Sequence, residues 1–162
     1  MIEVKHLVKK YGDHLAVDGL DFKLEPGRIY GFLGPNGAGK STVLKLILGI
    51  IGLDEGAIFL RKEKMHSKDG KSIKERVGYV GENVDFFEKC RLKEIKQFYQ
   101  LFYSTWDEKH YRSLMERFEL LERYKMSELS KGMKTKFSLC LALAHRPELL
   151  LMDEPTSGLD PL

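Results

Sequence analysis

Short alternating runs open the chain: residues 2–8 and 20–24 place apolar side chains at about every second position, with the turn-forming string Tyr11-Gly12-Asp13 between them. Period-two alternation puts such side chains on one face of a strand, so the pattern predicts an antiparallel strand pair. The apolar run Ile29-Tyr30-Gly31-Phe32-Leu33 predicts a buried strand, and Val43-Leu44-Lys45-Leu46-Ile47-Leu48 predicts the apolar face of a helix. Ala57-Ile58-Phe59-Leu60 and Val77-Gly78-Tyr79-Val80 predict further strands. The charged stretch 62–74 between them reads as an exposed loop or a short helix.

Beyond residue 90 the period lengthens. Leu92, Ile95, Phe98, Tyr99 and Phe102 fall on one helical face, and Tyr111, Leu114, Met115, Phe118 and Leu121 on another. At helical spacing both stripes predict core packing. A further helix is expected over 135–144, and Leu149-Leu150-Leu151-Met152 returns the pattern to strand. Strands alternating with helices around one helical insertion argue for an α/β fold with a parallel sheet.

Composition adds bounds. With 162 residues, 43% hydrophobic and 31% charged, the chain can bury one sizeable core, as a single domain with a subdomain. The net charge of +3 is spread along the chain and gives no argument for a nucleic-acid partner or an anionic membrane. Residues 43–53, the most apolar stretch, are interrupted by Lys45 and two glycines and are too short to span a bilayer. With no apolar core of a signal peptide near the N-terminus, a cytosolic location is expected. Cys90 and Cys140 stand apart from each other and from other metal-ligand patterns, so free thiols are expected. His6, His14, His66, His110 and His145 read as surface residues.

The candidate chemistry lies in three strings. Gly34-Pro35-Asn36-Gly37-Ala38-Gly39-Lys40-Ser41-Thr42 fits the pattern G-x-x-x-x-G-K-[ST] between a strand-like and a helical run. Its glycines let backbone N–H groups turn inward around phosphate, the following helix adds its N-terminal dipole, Lys40 adds a full charge, and the Ser41 hydroxyl is placed to ligate Mg²⁺. Asp153-Glu154 ends an apolar strand, where one carboxylate can hold Mg²⁺ and the next can orient or deprotonate an attacking water. Glu128-Leu129-Ser130-Lys131-Gly132-Met133 leads into a helix, making a second N-terminus able to receive an anion, although Ser130 is equally explained as an N-cap.

Together, in this order, these motifs resemble the ATP-binding subunit of ABC transporters, and the resemblance covers the whole chain. It implies a P-loop NTPase fold: a RecA-like parallel-sheet core (1–82 and 146–162) with N-terminal antiparallel strands, and an α-helical subdomain (83–145). It also implies that ATP is bound by Gly34, Pro35, Asn36, Gly37, Ala38, Gly39, Lys40, Ser41 and Thr42, with Mg²⁺ on Ser41, Asp153 and Glu82. Glu154, with Lys40, would be catalytic. Ser130 and Gly132 match the signature that meets the nucleotide of an opposite subunit, and Ser157-Gly158-Leu159-Asp160 is similar to the D-loop crossing that interface. Tyr11 matches the aromatic that stacks on adenine, the other reading being a plain strand aromatic. Residues 83–90, including Phe86 and Phe87, look like the surface that meets a transmembrane coupling helix, subdomain packing being the alternative.

The implied function is energy coupling: MgATP closes a dimer, of this chain with itself or a paralogue, hydrolysis reopens it, and a separate transmembrane permease moves. This would hold the protein at the inner face of the cell membrane. A non-transport clamp acting in chromosome maintenance or translation fits the same phosphate chemistry, as does a module that only binds nucleotide. The sequence departs from the family pattern at three places. Gly81-Glu82 replaces the usual Gln, a variant similar to a subset of exporters. Lys131 and Met133 replace the signature's glycine and glutamine. The family continues past the position of Leu162 through a strand ending in a histidine, so by this resemblance the chain is truncated, with the edges of the two motif-bearing strands left unpaired.

Overall fold

The computed structural model describes residues 1–35, 37–65, 75–81 and 87–154. They belong to two compact units, Met1–Lys74 and Glu75–Leu162.

In the first unit, β1 (Ile2–Tyr11) and β2 (His14–Leu24) form the expected hairpin, turning at Gly12 with φ 58°. Helix α1 (Lys40–Ile47) follows, then β3 (Glu55–Leu60) and the two-residue β4 (Glu63–Lys64). The sheet order is β2-β1-β3-β4 with antiparallel neighbours throughout. Ile2, Val4, Leu7 and Val17 of the hairpin, Val43 and Leu46 of α1, and Ile58 and Leu60 of β3 are buried. Both hairpin strands are longer than the alternation predicts. Register shifts between Val4 and Leu7, Leu7 and Lys9, and Lys9 and Lys10 break the period of two while the ladder continues to Tyr11. Of the charged stretch 62–74, Glu63 and Lys64 form β4, and 66–74 lie outside the described residues.

One expectation fails outright. Residues 29–33 are not a buried strand: they carry no strand structure, and Ile29 and Leu33 are 100% and 92% exposed. A buried parallel strand is held by backbone partners at its edges. Among the described residues no strand pairs with 29–33, and an apolar pattern cannot supply one.

In the second unit, β5 (Val77–Val80) and β6 (Leu149–Met152) pair in parallel, in register from Val77 with Leu149 to Val80 with Met152. Helices α2 (Leu92–Gln100), α3 (Glu108–Arg117) and α4 (Lys131–Ala144) lie between them in sequence, with a 3₁₀ turn at Met126–Glu128. Leu92, Ile95, Tyr111, Met115, Phe137 and Leu141 anchor their common core. The helix starts are chemically fixed. The Asp107 carboxylate accepts from the His110 N–H at 2.9 Å, and the Glu94 carboxylate accepts from the Arg91 N–H at 2.7 Å. Lys96 is buried but paired at 3.1 Å with both Glu108 and Glu122, which offsets the cost of removing its charge from water. Gly78 admits α4: a Cβ there would lie 2.7 Å from the Ala142 carbonyl oxygen. Among the described residues no helix is long and apolar enough to cross a membrane.

Three further expectations are corrected here. Phe98 and Phe102 are about half exposed, because the inward positions of α2 are Leu92, Ile95 and, in part, Tyr99. The two exposed rings meet each other at 5.0 Å, and Phe98 meets Phe87 at 5.7 Å. Leu121 is also exposed, since α3 ends at Arg117 and a left-handed Glu119, φ 58°, turns Leu120 inward instead. His145 is buried at 2% exposure, its ring stacked on Tyr103 at 3.9 Å. It is the C-cap of α4, covered by the Tyr103 ring. His6 and His14 are exposed as expected, His110 is half-buried, and His66 lies outside the described residues. Helix α4 begins at Lys131, four residues before the apolar periodicity does, because Ser130 caps it.

Candidate nucleotide-binding site

The phosphate loop runs from Gly34 into the first turn of α1. Gly39 is the N-cap in the left-handed region, φ 81°, and a Cβ there would stand 2.4 Å from the Ala16 carbonyl oxygen of β2. Only glycine satisfies both demands, so the loop is seated against the hairpin at Ala16. Gly37, φ 83°, makes a second left-handed turn in open space. The Ala38 N–H donates to the Pro35 carbonyl at 3.2 Å, closing the turn. Lys40 Nζ donates to the carbonyls of Gly34 at 2.7 Å and Pro35 at 2.8 Å, which holds the ammonium within the loop. Ser41 is exposed and Thr42 half-buried on the first turn of α1, where N–H groups lack intrahelical partners. Asn36 lies outside the described residues.

Tyr11 ends β1 opposite His14 and is 49% exposed. One strand position pair away, Lys9 lies across from Val17, the neighbour of the Ala16 against which the loop is seated. The aromatic ring and the phosphate loop therefore share one end of the hairpin. Lys9 Nζ stands over the Tyr11 ring, 5.6 Å from its centroid, and pairs with Asp54 at 3.0 Å. Neither the Lys9–Tyr11 contact nor the Lys9–Asp54 pair was legible in the sequence. Lys9 has the local signal of i, i−2 placement beside an aromatic on one strand, but Asp54 is 45 residues distant in sequence.

The second unit carries the remaining described candidates. Asp153 and Glu154 follow β6, with the Asp153 N–H donating to the Val80 carbonyl at 2.9 Å, and Gly81 follows the neighbouring β5. Both motifs thus sit at the carboxyl ends of adjacent parallel strands, where α/β folds place ligands. Burial, with the Asp153 charge, pushes the Tyr79 phenol upward. Glu154 is exposed and held in the left-handed region, φ 47°, a conformation that costs a non-glycine residue about 1 kcal/mol or more and clusters at functional positions. Ser130 caps α4, its Oγ accepting from the Met133 N–H at 3.2 Å, which leaves its O–H to donate to an anion. Gly132 is in the first turn. Glu82, Phe86 and the stretch 157–160 lie outside the described residues.

The loop geometry fits a phosphate chain: left-handed Gly37 and Gly39 turn the backbone ahead of the α1 N-terminus, and the Lys40 ammonium lies within the loop. The Ser41 hydroxyl in the first unit and the Asp153 carboxylate in the second are each of the oxygen-donor type that suits Mg²⁺. Among the described residues no cluster of three or more His, Cys, Asp or Glu could hold a metal ion.

A glycine-rich loop entering a helix in the first unit and a parallel strand pair ending in Asp-Glu in the second are the parts of a P-loop nucleotide-binding fold. Residues 17–157 match the ABC transporter family, and the chain belongs to it as an ATP-binding domain. It is 34% identical to the uncharacterised ABC transporter ATP-binding protein YhaQ of Bacillus subtilis (strain 168), over 100% of this chain and 55% of that protein. It is 38% identical to the Nod factor export ATP-binding protein I of Burkholderia thailandensis, over 99% of this chain and 54% of that protein. The chain thus spans about half the length of these curated relatives. Among solved structures, the ATP-binding subunit of an ABC transporter superposes with a TM-score of 0.86 at 29% identity, covering 99% of this chain and 68% of that one.

Proposed function

We propose that the chain is the ATP-binding, energy-coupling part of a membrane transporter, acting with a transmembrane permease and a second ATP-binding copy, itself or a paralogue. The loop at Gly34 to Lys40 carries this reading: its turn is built on left-handed glycines, its ammonium is drawn inside, and a helix N-terminus stands behind it. Lys40 and the α1 N-terminus would bind the β- and γ-phosphates. Tyr11 would offer its ring to adenine, a stack worth about 1–3 kcal/mol. Ser41 and Asp153, with Glu82, would hold Mg²⁺, which when bound neutralises charge on the phosphoryl oxygens. Glu154 would orient the attacking water and accept its proton. Ser130 and the N–H groups around Gly132 would receive the γ-phosphate held by the opposite copy, so that two nucleotides close a head-to-tail dimer.

A core of 1–82 and 146–162 with a helical subdomain of 83–145 goes with this reading, as does a place at the inner face of the membrane through the permease. The export system named for the Burkholderia relative supports export as the direction. The test is to separate binding from turnover in the full-length protein. Lys40→Ala is expected to lose most affinity for a fluorescent ATP analogue. Glu154→Gln is expected to keep that affinity while phosphate release drops about 10²–10⁴-fold, the usual contribution of a positioned base. Dimers should then accumulate with ATP in light scattering. Unchanged affinity in the Lys40 variant would sink the phosphate-loop assignment, and parental turnover in the Glu154 variant would remove it as the base.

A further inference from the structure

Beside the phosphate loop, the hairpin end carries a layered arrangement that phosphate chemistry does not use. Lys9 and Tyr11 are two apart on β1, across the irregularity at Lys9 and Lys10, and the Lys9 ammonium stands over the ring, 5.6 Å from its centroid. The ammonium is not loose. Asp54 Oδ1 accepts from it at 3.0 Å, and the Lys9 side chain is only 14% exposed, against 57% and 52% for the ion-paired Lys5 and Lys23 of the same sheet. Asp54 is itself held to β1 by its backbone and its other carboxylate oxygen. Its N–H donates to the Val8 carbonyl at 3.1 Å, and Oδ2 accepts from the Lys10 N–H at 2.7 Å. Those contacts, the Lys10 N–H first and the Lys9 ammonium next, hold the Asp54 carboxyl below its ordinary range, so it stays charged at neutral pH.

We infer that Lys9 and Asp54 are positioning residues for base binding: Asp54 fixes the Lys9 ammonium, and the ammonium fixes the Tyr11 ring on which the adenine of ATP stacks. The inference rests on the reading of Tyr11 as the adenine-stacking aromatic. A tyrosine at a hairpin tip, half exposed and opposite an exposed histidine, has little packing of its own to select one ring orientation. A cation drawn to the ring's electron-rich face supplies that selection, and the Asp54 staple supplies the cation's position. The contribution belongs to the base and not to the phosphates.

Full-length protein with the single changes Lys9→Met, Asp54→Asn, Lys9→Arg and Tyr11→Ala is titrated with MgATP and, separately, with magnesium tripolyphosphate, which has the phosphates and no base. Lys9→Met and Asp54→Asn are expected to weaken ATP about 2–5-fold, the range a cation–ring contact implies, and to leave tripolyphosphate unchanged. Lys9→Arg should rescue most of the loss. In a Tyr11→Ala background Lys9→Met should have no further effect on ATP. Equal losses for ATP and tripolyphosphate, or a loss that persists without Tyr11, would mean that the pair serves only the sheet and would overturn the proposal. If Tyr11→Ala alone leaves ATP affinity unchanged, the adenine-stacking reading itself fails, and the positioning role falls with it.

Discussion

At the scale of single residues, His145 is where burial most directly limits the chemistry. Neither ring nitrogen has a hydrogen-bond partner among the described residues, and the ring is stacked on Tyr103. Burial pushes its pKa below the ordinary 6.5, while backbone at Val77 and Leu141 and the charge of Glu75 oppose that shift without reversing it. Below pH 6.5 the unfolded chain therefore takes a proton that the folded chain resists. Stability is complete above 6.5 and declines as the pH falls towards the folded value, with a slope of at most about 1.4 kcal/mol per pH unit for one proton. His145→Phe keeps the stack and removes the proton. Urea unfolding between pH 7.5 and 5 should show an acid-side loss in the parent that the variant lacks. Asp54 and Asp107, held low by the N–H groups of Lys10 and His110, titrate below this window. An equally steep loss in the variant would assign the effect to other groups. The sequence marked Lys40, Ser130 and Glu154 because each belongs to a short local string whose chemistry is set by spacing. It marked neither the burial of His145 nor the Lys9–Asp54 pair, which arise from contacts between distant segments.

At the scale of elements, legibility followed the source of order. Helices α2 to α4 were readable in existence because their apolar faces and caps are local, yet their stripes drifted. Phe98, Phe102 and Leu121 fall on the apolar stripes yet are exposed, because periodicity cannot register where a helix ends or which edge of its stripe faces a neighbour. The hairpin was readable, although the shifts in its ladder hid nearly half its length. The loop between β2 and α1 allows a controlled test. Gly37 and Gly39 are both left-handed, but only Gly39 also abuts a backbone carbonyl, that of Ala16. Gly37→Ala is expected to cost about 1 kcal/mol, the strain of the backbone alone. Gly39→Ala adds a collision that neither Ala16 nor the cap can relieve by a rotamer change, so a loss of about 2–4 kcal/mol is expected, with weaker nucleotide binding as the loop is displaced. Thermal unfolding and ATP titration of the two variants side by side check this. Equal effects would mean that the loop is not seated on β2.

At the scale of the whole molecule, residues 29–33 are the largest conflict between pattern and structure. The parallel pairing of β5 with β6 was legible because both partners are in the described chain, whereas 29–33 has strand-forming residues and no described partner. Exposed apolar backbone of this kind can pair with the same segment of another molecule, the hazard of any open edge. The chain of 162 residues should therefore self-associate as its concentration rises, through 29–33 in preference to the other exposed apolar positions. Ile29 and Leu33, at 100% and 92% exposure, lose no packing when replaced. Ile29→Lys with Leu33→Lys should shift the onset of association to about tenfold higher concentration while changing stability by less than about 0.5 kcal/mol, as for other surface substitutions. Light scattering across a concentration series measures the first effect and thermal unfolding the second. Placing the same two lysines at Leu101 and Phe102, also exposed, controls for added charge. If that control suppresses association equally, net charge and not the open segment at 29–33 governs the behaviour.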